Sequence, residues 1–390
     1  MLRKGDLTQG GITGTLLHFT LPMLVGSFLQ QCYNIADTLI VGQCIGAGAL
    51  AAVGSAYTLM VFLISVLLGL AMGSGTVFSL HYGAGNHVAL RRSIFSSFVL
   101  IGIVTLILNV AVFIWLDPIL RLLQVPQDIY GMMRSYLWII FCGIVFTFIY
   151  NFYASLLRAV GDSVTPLWFL AVSVVLNIAL DLFFILQLDW GIQGAAAATV
   201  LAQGVAALGI IIYTYRRRPE LRWHHEDMCF DRTCLKEIAS FSTLTCIQQS
   251  VMNLGILMVQ GLVNSFGTGV MAAFATAVKI DSFAYMPVQD FGNAFSTFIA
   301  QNFGAGKTER IRKGIRSAVL VTTIFCLLLS VLITGAARPL MQLFVSAQEE
   351  EIIRIGMDYL YIEGSFYLGI GYLFLLYGYY RAVRMPGMSG

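Results

Sequence analysis

Formal charge is scarce in this chain. Asp, Glu, Lys and Arg make up 11% of its 390 residues, whereas a soluble domain carries about 25%. That shortage argues against an ordinary soluble domain. Hydrophobic residues make up 58% of the chain and fall in runs of roughly 20 or more, the length that a transmembrane helix needs. We therefore expect an all-α polytopic membrane protein.

The apolar runs also lack the common catalytic side-chain sets. They contain no His–His–carboxylate set and no Ser–His pair, the arrangements used by metal-dependent and serine hydrolases. We expect no enzymatic activity and no cofactor. No repeated filter-like segment is present either, which argues against a channel. The stretch HHEDMCFDRTC (224–234) matches no standard zinc spacing, so we interpret it as a solvated loop.

Ten segments are predicted to span a membrane. They cover about residues 15–44, 49–80, 94–116, 131–157, 164–188, 192–215, 237–263, 270–302, 315–336 and 352–380. If the N-terminus is inside, 18 of the 23 Lys and Arg residues fall on inner segments and four fall on outer segments. Because Lys and Arg favour the cytoplasmic side, we predict a cytoplasmic N-terminus and a place in the cytoplasmic (inner) membrane.

The two halves of the chain resemble each other. IGAGALAAVGSA (45–56) matches FGTGVMAAFATA (266–277), and YGAGNHVALRRSI (82–94) matches FGAGKTERIRKGI (303–315). Both pairs are 221 residues apart. Because each repeat holds an even number of spans, the pattern predicts a parallel repeat, with two lobes related by an axis along the membrane normal.

The repeat predicts three parts. Residues 1–215 would form a six-helix lobe, 216–236 a cytoplasmic linker loop and 237–390 a second lobe. The second lobe would hold four of the six helices that the first contains. We therefore interpret the chain as a fragment that lacks the last two helices, with ten spans present.

Two carboxylates stand in otherwise apolar spans. A charge at mid-bilayer costs about 2.5–3.5 kcal/mol on insertion scales and is usually functional. Asp37 and Asp181 each precede the outer end of an outward-running span by eight or nine residues, which places both about 12 Å below the outer surface. Asn177 lies one turn inward of Asp181, and Thr199 lies near the outer end of the sixth span.

These four side chains form an all-oxygen set that suits a hard cation. Two neighbouring buried carboxylates can also hold a proton. The alternative is that Asp37 or Asp181 only makes a packing hydrogen bond. Pro22 in the first span also has two interpretations, a tolerated kink or a hinge that bends as Asp37 changes its occupancy.

The eighth span carries charges of both signs. Lys279 and Asp290 are eleven residues apart and share a helical face. We expect them to pair inside the cavity. In the alternative, the chain kinks at Pro287 and each charge meets water separately.

The sequence resembles the multidrug and toxic compound extrusion (MATE) family. The resemblance rests on Pro22 and Asp37 fifteen residues apart, LLRAVGDSVTP (156–166), LNIALD (176–181) and MPVQDFGNAFSTFIAQNFGAGK (286–307), taken in order. It implies two six-helix lobes and a proton- or sodium-coupled drug antiporter. It implies an N-lobe cation site at Asp37, Asn177, Asp181 and Thr199, with Tyr33 and Asn151 as cavity neighbours and Gln249 where some relatives carry a glutamate.

We therefore expect an antiporter that exports amphipathic organic cations in exchange for Na+ or H+ by alternating access of the lobes. The alternative is a lipid-linked oligosaccharide flippase of the same superfamily. A flippase that moves pyrophosphate lipids should line its cavity with Arg and Lys. Away from the ends of the predicted spans, the only Lys or Arg is Lys279, against Asp37, Asp181, Asp281 and Asp290. The expected partners are organic cations and the lipid bilayer, with no nucleic acid, and we expect a monomer.

Overall fold

The computed structural model describes residues 6–122, 125–228, 232–264, 266–346 and 348–383. Within these ranges all regular structure is helical, which confirms the predicted all-α fold. A π-helical turn, Phe183–Gln187, extends α6, and two short 3-10 turns follow α7. The helices are α1 (Ile12–Cys44), α2 (Ala47–Gly83), α3 (His87–Leu122), α4 (Gln127–Cys142), α5 (Ile144–Ala159), α6 (Val164–Leu182), α7 (Gly191–Arg217), α8 (Arg232–Asn264), α9 (Thr268–Gly304), α10 (Thr308–Gly335), α11 (Ala337–Gln342) and α12 (Glu350–Ala382).

Seven helices in the described ranges are long and apolar enough to cross a membrane, and α4 with α5 would make an eighth as one bent span. The chain is therefore a multi-pass membrane protein. The count of ten is not confirmed on this criterion, because α8 and α9 are absent from the set. Both are long helices, of 33 and 37 residues. Polar residues such as Gln248 and Gln249 in α8, and Lys279 in α9, lower their mean hydropathy.

The predicted fourth span is broken rather than continuous. Helix α4 ends at Cys142 and α5 begins at Ile144, with a bend of 48° between them. Gly143 lies at the break, and a Cβ atom there would lie 2.5 Å from a methyl carbon of Val200 on α7. The bend therefore lets α7 pack against the backbone at a position that tolerates no side chain.

Helix α2 joins the two halves of the chain through close contacts with α8 and α9. A Cβ atom on Gly73 would lie 2.5 Å from Ser242 Cα. Further along, a Cβ atom on Gly83 would overlap the carbonyl of Gln301, and one on Gly304 would overlap the carbonyl of Leu80. The last two contacts are reciprocal, because both residue pairs are related by the same offset of 221.

The C-terminal ends of α2, α5, α9 and α12 lie together at one end of the molecule, which we call the inner end. The carbonyl of Ala159, the last residue of α5, accepts hydrogen bonds from Ser79 Oγ at 3.2 Å and Gln301 Nε2 at 2.7 Å. Near the end of α12, a Cβ atom on Gly378 would lie 2.7 Å from the Gly292 carbonyl on α9. The halves are thus packed together at the inner end.

Candidate functional site

The structure brings Asp37 of α1 and Asp181 of α6 together. Asp37 is 8% exposed and Asp181 is fully buried. The two carboxyl groups lie within hydrogen-bonding reach of each other. Two carboxylates this close inside a protein repel each other strongly when both are charged and unscreened. The pair therefore favours a proton or a cation between its members.

Asn177 and Thr199 complete the surroundings of Asp181. When the Asn177 amide is assigned from its hydrogen-bond network, its nitrogen donates to an ionised Asp181 at Oδ2, at 2.8 Å. Its oxygen then accepts from the backbone N–H of Thr199 at 3.2 Å and from the Thr199 hydroxyl at 3.3 Å. Tyr33 lies with its hydroxyl 3.3 Å from Thr199 Oγ1. We call Asp37, Asp181, Asn177, Thr199 and Tyr33 the acidic cluster.

With this assignment the amide oxygen of Asn177 faces Thr199. With the amide turned over, its nitrogen faces Thr199 and its oxygen faces Asp181, so its role as a cation ligand stays a prediction. The oxygens left free are Asp37 Oδ1 and Asp181 Oδ1, both buried without a hydrogen-bond partner in the part of the chain that the structure describes. Unpaired buried carboxylate oxygens are unfavourable. The residues therefore fit a bound proton or a small cation at these two atoms.

Tyr136 of α4 is a cluster neighbour that the sequence analysis missed. It is 4% exposed and close enough to Asp37, Tyr33 and Asp181 to interact with them electrostatically. The four-residue spacing from Tyr136 to Ile140 marks a buried face of α4, but nothing in that pattern distinguishes a site tyrosine from a core aromatic. Only the packing of α4 against α7 and α2 reveals its position.

Two other candidate residues lie on α5 and α8. Asn151 on α5 donates its side-chain N–H to the carbonyl of Thr147 on its own helix, at 2.8 Å. Gln249 is half-buried on α8, which packs mainly on α2. Pro22 lies inside α1, whose helical assignment continues through it. No residue from 21 to 36 of that helix is fully buried.

The expected pair of Lys279 and Asp290 is not formed. Lys279 is exposed, and within the described ranges neither residue takes part in an ion pair. Asp290 Oδ2 instead accepts a hydrogen bond from Ser27 Oγ on α1, at 2.5 Å. Helix α1 thus supplies the partner of Asp290 in place of Lys279. Asp290 also lines a cavity at the inner end with two arginines, Arg158 and Arg381.

The loop after α7 is less solvated than expected. Asp227 is 4% exposed and forms an ion pair with Arg91 Nε at 2.7 Å. The loop thereby docks onto the start of α3. Cys229, part of the same stretch, lies outside the described residues. Among those that are described, no group of three or more His, Cys, Asp or Glu side chains could hold a metal ion.

The family model described as MatE matches residues 22–183 and 244–387. The chain belongs to the MatE family. It is 32% identical over 388 residues to the probable multidrug resistance protein YpnP of Bacillus subtilis (strain 168), covering 98% of this chain and 85% of that relative. MATE proteins are membrane transporters that need no cofactor. The protein is therefore a transporter of the multidrug efflux type and not an enzyme.

Two further MATE comparisons are informative. The chain is 24% identical over 351 residues to a Shewanella oneidensis protein named FAD transporter, covering 88% of this chain and 77% of that one. It superimposes on an outward-facing multidrug resistance MATE transporter of the MOP superfamily with a TM-score of 0.92 and 21% identity, covering 100% of this chain and 86% of that chain. The second likeness concerns the fold alone.

Proposed function

We propose that this protein is a secondary active antiporter that exports amphipathic organic cations in exchange for H+ or Na+. The observation that supports it is the buried pair Asp37 and Asp181, each with one oxygen lacking a partner. A proton, a sodium ion and a cationic drug would each relieve the same excess negative charge. Each therefore displaces the others, and that competition couples ion entry to drug exit.

The arrangement of Asn177 bears on the coupling ion. With its nitrogen toward Asp181, the cluster suits a proton shared between the two carboxyl groups. Sodium would require the amide to turn and present its oxygen, since a hard cation needs oxygen ligands. The site then alternates between a protonated form and a cation-bound form that differ by one amide rotation.

Alternating access would be carried by two lobes, residues 1–215 and 237–390, joined by the linker 216–236. We propose ten membrane crossings with a cytoplasmic N-terminus in the inner membrane, and a monomeric transporter. The inner end is then the cytoplasmic end, closed by the reciprocal contacts of Gly83 and Gly304.

Helix α1 is the element that would transmit the change in occupancy. It carries Asp37 near one end and Ser27, the partner of Asp290, ten residues earlier. The stretch between residues 21 and 36 has no fully buried side chain, so few packing contacts oppose bending there. Pro22 removes one backbone hydrogen bond at the start of this stretch. We propose that α1 bends at Pro22 when the acidic cluster changes its ligand.

The test is transport by purified protein in sealed vesicles loaded with a fluorescent lipophilic cation. A sodium gradient and a proton gradient are applied separately, with an anionic analogue of the dye as the matched comparison. We expect efflux of the cation under one gradient and no efflux of the analogue. No gradient-driven efflux under either condition would contradict the antiport proposal.

A second candidate function is translocation of a lipid-linked oligosaccharide. Its support is the pair Arg158 and Arg381, which lines a cavity at the inner end although neither lies in the middle of a span. Pyrophosphate lipids and FAD, after which the Shewanella relative is named, are both anionic. Equal transport of the cationic dye and its anionic analogue would favour this second function.

A further inference from the structure

A cavity of about 80 Å³ lies at the inner end, where α1, α2, α5, α9 and α12 meet. Arg158 and Arg381 both line it. Each arginine lies in the last turn of its helix and opens the triplet RAV, at 158–160 and 381–383. The two halves of the chain therefore place one guanidinium each at the same cavity, which we call the arginine pocket.

Among the residues that the structure describes, no carboxylate forms an ion pair with Arg381. It is 7% exposed, and its Nε atom is buried without a hydrogen-bond partner in the described part of the chain. Over the same residues, the ion pairs of the structure involve neither Arg158 nor Arg381. A buried cation that lacks a paired group is strongly unfavourable. An anion bound in the pocket would remove that penalty.

The neighbouring acceptors are only partly available to the two arginines. Asp290, the only carboxylate among the lining residues, accepts from Ser27 Oγ at 2.5 Å. The Ala159 carbonyl, which the last-turn Arg158 would be expected to stabilise, accepts from Gln301 and Ser79. Among the described lining residues, the two arginines therefore face a single carboxylate, Asp290, and the pocket carries an excess of positive charge.

The rest of the lining suits a small anionic group. Ser155, Ser296 and Thr297 offer hydroxyl donors around the guanidinium groups, and an arginine fork matches a carboxylate or phosphate in a bidentate arrangement. Met23 and Met72 form an apolar wall that adapts to varied shapes. We propose that the arginine pocket binds a compact oxyanion, a carboxylate or phosphate group, either free or as the head group of an amphiphile.

The test measures binding, so it does not depend on the antiport proposal. Purified full-length chain in micelles is dialysed against radiolabelled inorganic phosphate at constant ionic strength, with octyl phosphate as a competitor. We expect saturable phosphate binding by the wild-type protein. Arg381→Gln should weaken it about 100-fold, and Arg381→Lys, which keeps the charge but loses the fork, about tenfold. Arg316→Gln, at an exposed position on α10, should leave binding unchanged.

Two further variants guard against misfolding. If Arg381→Gln does not fold, Arg158→Gln on α5 should produce a comparable loss. Asp290→Asn removes the one like charge facing the ligand and should tighten phosphate binding about tenfold. If octyl phosphate displaces labelled phosphate at concentrations far below that of the phosphate, the natural ligand is the head group of an amphiphile. If unlabelled phosphate and octyl phosphate compete equally well, the ligand is a free oxyanion. Absence of saturable binding of either probe, or wild-type binding in all arginine variants, would overturn the proposal.

Discussion

The acidic cluster and the arginine pocket share helix α1 but leave opposite charges unpaired. Met23 lines the pocket, and Asp37 lies fourteen residues further along α1, about 21 Å away along the helix axis. Counting only the described residues, one site leaves two carboxylate oxygens without hydrogen-bond partners, and the other leaves a guanidinium nitrogen without one. The difference indicates that the interior is divided by sign, with an acidic outer part and a basic inner part.

The largest expected effect comes from neutralising the acidic cluster. Asp37→Asn and Asp181→Asn each keep the side-chain shape and remove one charge. Each should reduce gradient-driven efflux of a cationic dye to background. A single carboxylate lacks the mutual repulsion that makes the pair require a cation, so the ion and the dye would no longer compete for the site. The double variant should be little worse than either single one.

Asp189→Asn is the matched control for this prediction. Asp189 is exposed beyond α6 and has a positive φ of 54°, a conformation that asparagine tolerates well. Its efflux should equal that of the wild type. Normal efflux by Asp37→Asn at wild-type expression would show that the carboxylate serves packing only. The contrast in charge between the acidic cluster and the arginine pocket would then have no role in transport.

The next effect concerns the seal over the arginine pocket. Gly83→Ala places a methyl group against the carbonyl of Gln301 and should shift the protein toward a state open at the inner end. We expect a membrane-impermeant maleimide to label Thr76→Cys, a lining position, about tenfold faster from the inner side. Gly54→Ala, on the same helix with no atom within 4 Å, should not change the rate. Equal rates in both variants would contradict a closed inner end.

A smaller effect is expected on stability. Arg381→Met replaces a buried unpaired cation with an apolar side chain of similar length. In phosphate-free buffer it should raise the free energy of unfolding by about 1–2 kcal/mol, measured as a higher thermal midpoint in detergent. Arg316→Met, at an exposed site, should produce little change. A lower midpoint for Arg381→Met alone would indicate an internal counter-ion and would remove the contrast between the two sites.

The smallest expected effect on stability concerns Asp227, whose charge is already paired with Arg91. Burial raises the pKa of the Asp227 carboxyl, but hydrogen bonds from Arg91 and His224 outweigh it, so its pKa lies below the ordinary value. A lowered folded-state pKa contributes stability above the unfolded-state pKa, near 4, and loses it as the pH falls through the folded-state value. Asp227→Asn should therefore lower the thermal midpoint at pH 7 and match the wild type at the acidic limit. Glu226→Gln, at an exposed position, should follow the wild-type curve throughout.

Long apolar runs predict the helices well, because a backbone in lipid must satisfy its hydrogen bonds within each segment. The same reasoning fails at Gly143, where the close approach of α7, a contact distant in sequence, breaks the predicted span. It also predicts spans at α8 and α9, which lie outside the set of long apolar helices in the described ranges because polar side chains lower their mean hydropathy.

In the candidate site, too, the sequence predicts some contacts and misses others. Equal depth along two outward-running helices is enough to predict that Asp37 and Asp181 meet. The orientation of the Asn177 amide depends on the backbone N–H of Thr199 on another helix, so sequence spacing cannot reveal it. Likewise, the spacing of Lys279 and Asp290 says nothing about Ser27, whose helix passes closer to Asp290 than the lysine does. Helix packing, and not sequence spacing, determines which side chain lies nearest to a buried charge.

The reciprocal contacts of Gly83 and Gly304 have a consequence for coupling efficiency. Each glycine lies against the backbone of the other half, so separating the halves breaks both contacts in the same movement. Neither contact can then separate while the other holds. Under the proposed antiport mechanism, this limits the passage of ions without cargo. Substituting one glycine should disrupt one of the two contacts and leave the other. Under the same mechanism, the variant would leak the coupling ion across the membrane as well as transport more slowly.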